Sequence, residues 1–342
     1  MNIFSLPIIE IALSLIISWA LFAIFCSILQ ETMVQLKNER GRFFKQQLLR
    51  QLNDAPNQIN WASLLYTHPS FDILSRAYNK PPSEISAKTF SETLIEVVAT
   101  AHKVQSKKLD TELMSALPAN QYENQLLNDF SLATKVLVPS ELVALLASSL
   151  NKAEIRAGGL KDRTDDKVYN LLVEEISDWF NQLSSRTSVW YRKLTKRRLF
   201  FLGLILSVAL NINSIALFKY FSKNPAARTA LITYYENNKT QLEVMAQKYD
   251  QSAGPHDTIT LKEIKNDVVL LKTKIDSLVD ANEIPIGWKQ HPKKVSAQNN
   301  SWWENILNGM LYLIGFVLTA FAASAGAPFW FELLKKAYTL KK

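Results

Sequence analysis

Glycine is scarce in this chain, with nine among 342 residues. Loops that cradle phosphate and tight hairpins draw on glycine for backbone angles that other residues avoid, and their signatures are missing. No G-x-x-x-x-G-K-[ST], G-x-S-x-G, H-E-x-x-H or C-x-x-C occurs. Cys26 stands alone, which excludes a disulfide framework and a thiolate metal cluster. Strand-like alternation is scarce as well. Charge is missing from one kind of place: three long apolar runs carry no Lys, Arg, Asp or Glu at their centres. That argues against a proton relay, a voltage sensor or a charged ion path.

The apolar residues, 48% of the chain, gather in those runs. The first covers residues 8–29, uninterrupted from Ile11 to Leu29; 19 residues make roughly 28 Å of helix, close to a hydrocarbon core. No Lys or Arg precedes it and no A-x-A-like site follows, so it reads as a retained anchor and not a cleaved signal peptide. The second is residues 199–218 and the third 306–327. Basic clusters then orient them. Lys37, Arg40, Arg42, Lys45 and Arg50 follow the first run, Arg192, Lys193, Lys196, Arg197 and Arg198 precede the second, and Lys335, Lys336, Lys341 and Lys342 follow the third. Three crossings put all these clusters on one side, and the positive-inside rule makes that side cytoplasmic. The expectation is an all-α, multi-pass protein of a bacterial inner membrane, N-terminus out and C-terminus in.

The net charge of +8 belongs to those clusters. Between Gln51 and Tyr191 there are 13 Lys/Arg against 17 Asp/Glu, so the intervening region is acidic. Nucleic acid is therefore disfavoured as a partner, and the lipid bilayer with its anionic headgroups is expected. Residues 30–198 read as a cytoplasmic helical domain. Phe90, Leu94, Val97 and Val98 share a helical face, as do Leu142, Val143, Leu145, Leu146 and Leu150, with Ser140 as N-cap. Leu171, Leu172, Ile176, Trp179, Phe180 and Leu183 mark a third helix. Gln30 to Leu52 continues the first run as helix. Residues 219–305 read as an outer, periplasmic helical hairpin. Leu231, Tyr235, Asn238, Leu242, Met245 and Tyr249 form one seam, and Leu261, Ile264, Val268, Leu271, Ile275 and Leu278 the other. Ser252-Ala253-Gly254-Pro255 supplies a turn, Thr260 with Glu263 fits a capping box, and the two seams are expected to pack on each other, the alternative being an oligomerisation or docking surface. Residues 328–342 are left as a cytoplasmic tail.

Chemistry is hard to place. By this topology His68 and His102 face inward while His256 and His291 face outward, so they form no single cluster. A site around His68, Glu92 or Glu96 is the weakest of the readings, and the carboxylate pairs Asp165-Asp166 and Glu174-Glu175 read as solvated helix faces. No catalytic residue, cofactor or metal ligand is assigned. Gly315, Thr319, Ala323 and Ala327 form a small-residue stripe that lets another helix approach closely, from within the chain or from another copy. Gly203 and Ser207 repeat it in the second run, and Asn211 and Asn213 are expected to hydrogen-bond within the bundle. Trp190, Tyr191, Trp302, Trp303, Phe329, Trp330 and Phe331 sit at run ends as membrane-interface aromatics.

Residues 323–334, Ala-Ser-Ala-Gly-Ala-Pro-Phe-Trp-Phe-Glu-Leu-Leu, resemble the C-terminal signature of a family of uncharacterised bacterial multi-span inner-membrane proteins. Pro82-Ser83-Glu84-Ile85 with Thr89-Phe90, Trp179-Phe180-Asn181 with Trp190-Tyr191-Arg192, Asn211-Ile212-Asn213 and Pro285-Ile286-Gly287-Trp288 are similar to further segments of it. That family usually places an acidic residue where Asn181, Asn213 and Glu332 stand, and only Glu332 keeps it. The resemblance implies three spans and no transferable activity. The functional expectation is a non-enzymatic membrane scaffold whose cytoplasmic domain binds a protein partner; the alternative is an oligomeric effector or channel assembled through the third span.

Overall fold

The computed structural model describes residues 7–75, 80–106, 121–158, 164–250, 259–282, 284–288 and 302–339. It divides into two compact units, Asn38–Trp190 and Met1–Lys37 with Tyr191–Lys342. Both are helical; the described strand content is one two-residue antiparallel pair, β1 (Asn53–Asp54) and β2 (Ile59–Asn60).

The unit Asn38–Trp190 holds α2 (Glu39–Gln51), α3 (Trp61–Thr67), α4 (Pro69–Asp72), α5 (Ala87–Ser106), α6 (Gln125–Val136), α7 (Glu141–Ala157) and the first part of α8 (Asp165–Ala209). Short polar side chains set the starts. Asn60 accepts from Ser63 N–H, Asn124 from Leu126 and Leu127, and Ser140 from Val143 at 3.2 Å. The apolar faces read from periodicity then meet in one core. Phe90, Leu94, Leu146, Leu172 and Ile176 are all at 0% exposure, and Phe90 stacks on Phe180 with ring centroids 4.1 Å apart. Phe90 and Trp179-Phe180 are thus packed on one another.

Tyr66 departs from this economy. Its hydroxyl is buried without a hydrogen-bond partner among the described residues, and burial pushes the phenol well above its usual range. Unfolded tyrosine ionises near pH 10, about where the folded phenol still holds its proton, so the folded state loses stability as pH rises past that point. Tyr66→Phe should flatten this alkaline loss while changing stability at neutral pH by less than about 1 kcal/mol. Urea unfolding of both proteins at neutral and alkaline pH checks it.

The other unit contains α1 (Pro7–Lys37), the end of α8, α9 (Ser214–Lys223), α10 (Pro225–Lys248), α11 (Leu261–Asn282), α12 (Trp302–Ala325) and α13 (Ala327–Thr339). α1 is its centre and packs against all of α9 to α13. Ile17, Ala20, Ala23, Ile24, Cys26 and Ile28 are at 1% exposure or less. α12 keeps an outward apolar face, with Leu307, Leu313 and Phe321 near 60% exposed.

Four boundaries differ from the sequence reading. α1 ends at Lys37, because Asn38 adopts a left-handed φ of 47° and its Nδ2 donates to Pro81 O at 3.0 Å. Residues 30–37 therefore belong to α1, and Tyr191 onward to the unit that contains it. The third apolar run breaks at Gly326 (φ 85°), ahead of Pro328, and residues from Ala327 form a helix, with Phe331 and Leu334 buried, where a tail was expected.

The largest difference concerns residues 219–305. Both hairpin helices exist, and Thr260 Oγ1 accepts from Glu263 N–H as the capping box requires. The Ser252–Pro255 turn and Leu278's side chain lie outside the described residues. The seams, however, pack mainly on α1. Arg228, near the start of α10, pairs with Glu10 at 3.1 Å, while Ile259 O, just before α11, accepts from Gln35 Nε2 at 2.9 Å. The hairpin thus runs along α1 and does not stand clear of it. The reason is area: Leu231, Tyr235, Leu242 and Met245 are almost fully buried, and α1 offers a longer apolar surface than a short two-helix seam.

Candidate functional site

The most elaborate polar construction lies where the second apolar run breaks. Residues 199–218 were expected to form one straight span, yet α8 stops at Ala209 and α9 leaves it at 57°. Asn211 takes a left-handed φ of 50°, which asparagine tolerates better than most residues. Breaking a helix frees backbone groups that must find partners. Here residues 287 and 288 supply them: Gly287 N donates to Leu210 O (2.9 Å) and Trp288 Nε1 to Ala209 O (3.1 Å). Asn211 Nδ2 in turn donates to Gly287 O, and Tyr312 O–H donates to Asn211 Oδ1. Residues 209–211 and 287–288 are therefore bonded to each other.

Asn213 serves two elements at once. Its Oδ1 caps α9 by accepting from Ile215 and Ala216 N–H, and its Nδ2 donates to Tyr312 O at 2.7 Å. This close approach needs Gly315, since a Cβ there would lie 2.0 Å from Asn213 Oδ1. One turn on, Thr319 accepts from Ser214 N–H (3.1 Å) and shares a 2.8 Å hydroxyl contact with Ser214, which accepts from Trp19 Nε1 at 2.9 Å. A Cβ on Gly203 would meet Ala323 Cβ at 2.8 Å. Thr319, Ala323 and Ala327 are each at 0% exposure. The stripe is filled from within the chain, by α8, α9 and α1.

The aromatic residues divide. Trp302 and Trp303, ring centroids 4.0 Å apart, and Phe329 are well exposed, and Trp190 is 44% exposed. Tyr191 is half-buried. Trp330 packs on Trp19 at 5.0 Å and donates to Ala322 O, and Phe331, 5% exposed, packs near Tyr235. Phe331 is therefore a core residue and not an interface anchor, because two residues along a helix is about 200°, the far side from Phe329.

Of the weakest set of candidates, His68 and Glu96 do meet, Nε2 to Oε2 at 3.1 Å, while Glu92 pairs with Lys88. His68 Nδ1 accepts from Ser70 N–H, so the ring caps α4. Glu174 and Glu175 both grip Arg156, and Asp165 accepts from Asn124 N–H. Among the described residues no three His, Cys, Asp or Glu side chains gather as a metal site. His102's side chain, His256 and His291 lie outside the described residues.

One residue had drawn no notice. Asp54, 3% exposed, accepts from Asn57 Nδ2 (3.0 Å), Trp61 Nε1 (3.1 Å) and Ser140 Oγ (3.1 Å). Asn57 also exchanges two 2.9 Å bonds with Val138. Asp54 ties the β1–β2 turn, α3 and the entry to α7 into one buried network. The Asn-Asp-Ala-Pro-Asn run around it was the available turn signal.

Fold and site together define a class: an all-helical protein with two helices long and apolar enough to cross a membrane, α1 and Asn305–Ala325 in α12, and a third if α8 and α9 count as one bent span. Comparison of the chain with protein families, curated proteins and solved structures finds no match.

Proposed function

We propose that this protein is a non-enzymatic scaffold of a bacterial inner membrane, whose helical unit Asn38–Trp190 binds a soluble protein partner. The observation that carries the reading is the division of labour between the units. One has its own aromatic core and, among its described residues, no helix long and apolar enough to cross a bilayer; the other holds two such helices, and a third if α8 and α9 count as one bent span. Broken helices persist in membranes when the freed backbone groups are re-satisfied, as at residues 209–213. The positive-inside rule sets the Gln35 end of α1 on the cytoplasmic side. With the hairpin docked, Tyr249 and Ile259 belong to that same end, so an outer position for the hairpin's turn is not carried forward.

The test is extraction of the tagged full-length protein in mild detergent, with native mass and partner identity read from one sample. A stoichiometric soluble partner is expected, lost on Ile73→Glu or Ile155→Glu, which alter the two most exposed aliphatic side chains among the described residues of this unit (83% and 71%). Turnover of a substrate, abolished by a point substitution with folding retained, overturns the reading.

A second reading, an oligomeric effector or channel, draws on the hairpin and no longer on the small-residue stripe. α10 turns Glu236, Asn237, Thr240, Gln241 and Gln247 outward along the length of α1. Such a face at bilayer depth needs water or another polar surface beside it. A homo-oligomer with ion conductance, in place of a partner, would establish this reading over the first.

A further inference from the structure

A cavity of about 290 Å³ lies beside α8, the end of the hairpin and the α12–α13 junction, all within the unit built on α1. Arg192, Thr195 and Lys196 line it from successive positions of one helical face. Neither Arg192 nor Lys196 has an ion-pair partner among the described residues. Thr195 is 2% exposed, and its hydroxyl makes no hydrogen bond among the described residues. It lines the cavity between two cations that have no ion-pair partner among the described residues, a position suited to an acceptor that the protein does not supply. A phosphate oxygen has the right chemistry: charge-assisted bonds from Arg192 and Lys196, and a neutral one from Thr195.

The cavity is also lined by Asp250 and Glu332. Two carboxylates beside two cations disfavour a purely anionic occupant and favour one that carries both signs. We propose that the cavity binds a phosphoethanolamine group, its phosphodiester held by Arg192, Thr195 and Lys196 and its ammonium donating to Glu332 and Asp250. Phe329, 49% exposed at the rim, is placed for the interfacial region of a bilayer. The group can arrive as a lipid headgroup or as a free molecule, and the apolar helices favour the lipid. This inference stands apart from the scaffold and channel readings.

The test uses the full-length protein, delipidated in detergent and supplied in turn with phosphatidylethanolamine, phosphatidylcholine, phosphatidylglycerol or soluble phosphoethanolamine, with retention read by native mass spectrometry. One equivalent of phosphatidylethanolamine is expected to stay bound, about fivefold or more above the other two lipids. Arg192→Gln/Lys196→Gln should lower its retention about tenfold or more, and Glu332→Gln should shift preference toward phosphatidylglycerol. Thr195→Val, nearly isosteric, should weaken retention several-fold if the double variant fails to fold. Displacement of the lipid by soluble phosphoethanolamine supports the same headgroup chemistry from a free source. Equal retention of the three lipids, or retention unchanged in both Arg192→Gln/Lys196→Gln and Thr195→Val, overturns the proposal.

Discussion

Gly315→Ala should disrupt the unit built on α1, although it adds a single methyl group. That methyl would stand 2.0 Å from Asn213 Oδ1 and 2.5 Å from its Cγ. Asn213 cannot simply turn away, since its amide caps α9 through two bonds and holds Tyr312 O through a third. Relief requires α12 to move off α9, which also stretches the Thr319–Ser214 contact, or Asn213 to release its cap. Overpacking together with a lost cap costs about 2–4 kcal/mol. Thermal unfolding of the purified full-length protein in detergent should show a lowered midpoint. Gly309→Ala is the control in the same helix: nothing lies within 4 Å of its Cβ. There alanine should be neutral or stabilising by up to about 1 kcal/mol, from helix propensity alone. An equal effect at both glycines would mean that the Asn213–Gly315 approach does not hold the corner together.

Asp54→Ala should be the most damaging polar substitution in the unit Asn38–Trp190. It deprives Trp61 Nε1, Asn57 Nδ2 and Ser140 Oγ of a shared acceptor in a buried place. Stranding buried donors costs about 1–3 kcal/mol each, and relaxation of the network keeps the total near about 3–5 kcal/mol. Asp54→Asn keeps one acceptor oxygen and the side-chain shape, so it should cost less than half as much. Urea unfolding of the full chain, followed by tryptophan fluorescence because Trp61 is itself in the network, separates the two variants. Should Ala and Asn prove equivalent, the network would carry no stability of its own.

How much of this was legible in the sequence follows from the range of each interaction. Periodicity placed Phe90, Leu94, Leu146, Leu172 and Ile176 on buried faces, since a face of a helix depends only on residues three and four apart. Ser140 and Thr260 announced their caps for the same reason; cap and N–H lie within three residues. Residue type also flagged Asn211 and Asn213 as hydrogen-bonding groups within an apolar run and Gly315 as part of a small-residue stripe. The sequence could not say that Asn213 and Gly315 touch, because they are about a hundred residues apart. Nor could it show that Asp54 is buried, when its partner Ser140 lies 86 positions away.

The sequence by itself determined the helical class, the three apolar runs and the basic clusters that flank them. Each of these depends on composition within a window of about twenty residues, the length that crosses a bilayer. The tertiary structure decided what those runs do. It bent the second at Asn211, because residues 287–288 arrive to satisfy the freed carbonyls. It filled the small-residue stripe from within the chain, and laid the hairpin along α1, where Leu231, Tyr235 and Leu242 are almost fully buried. Those outcomes turn on which surfaces compete for the same partner, and that competition is settled between distant segments.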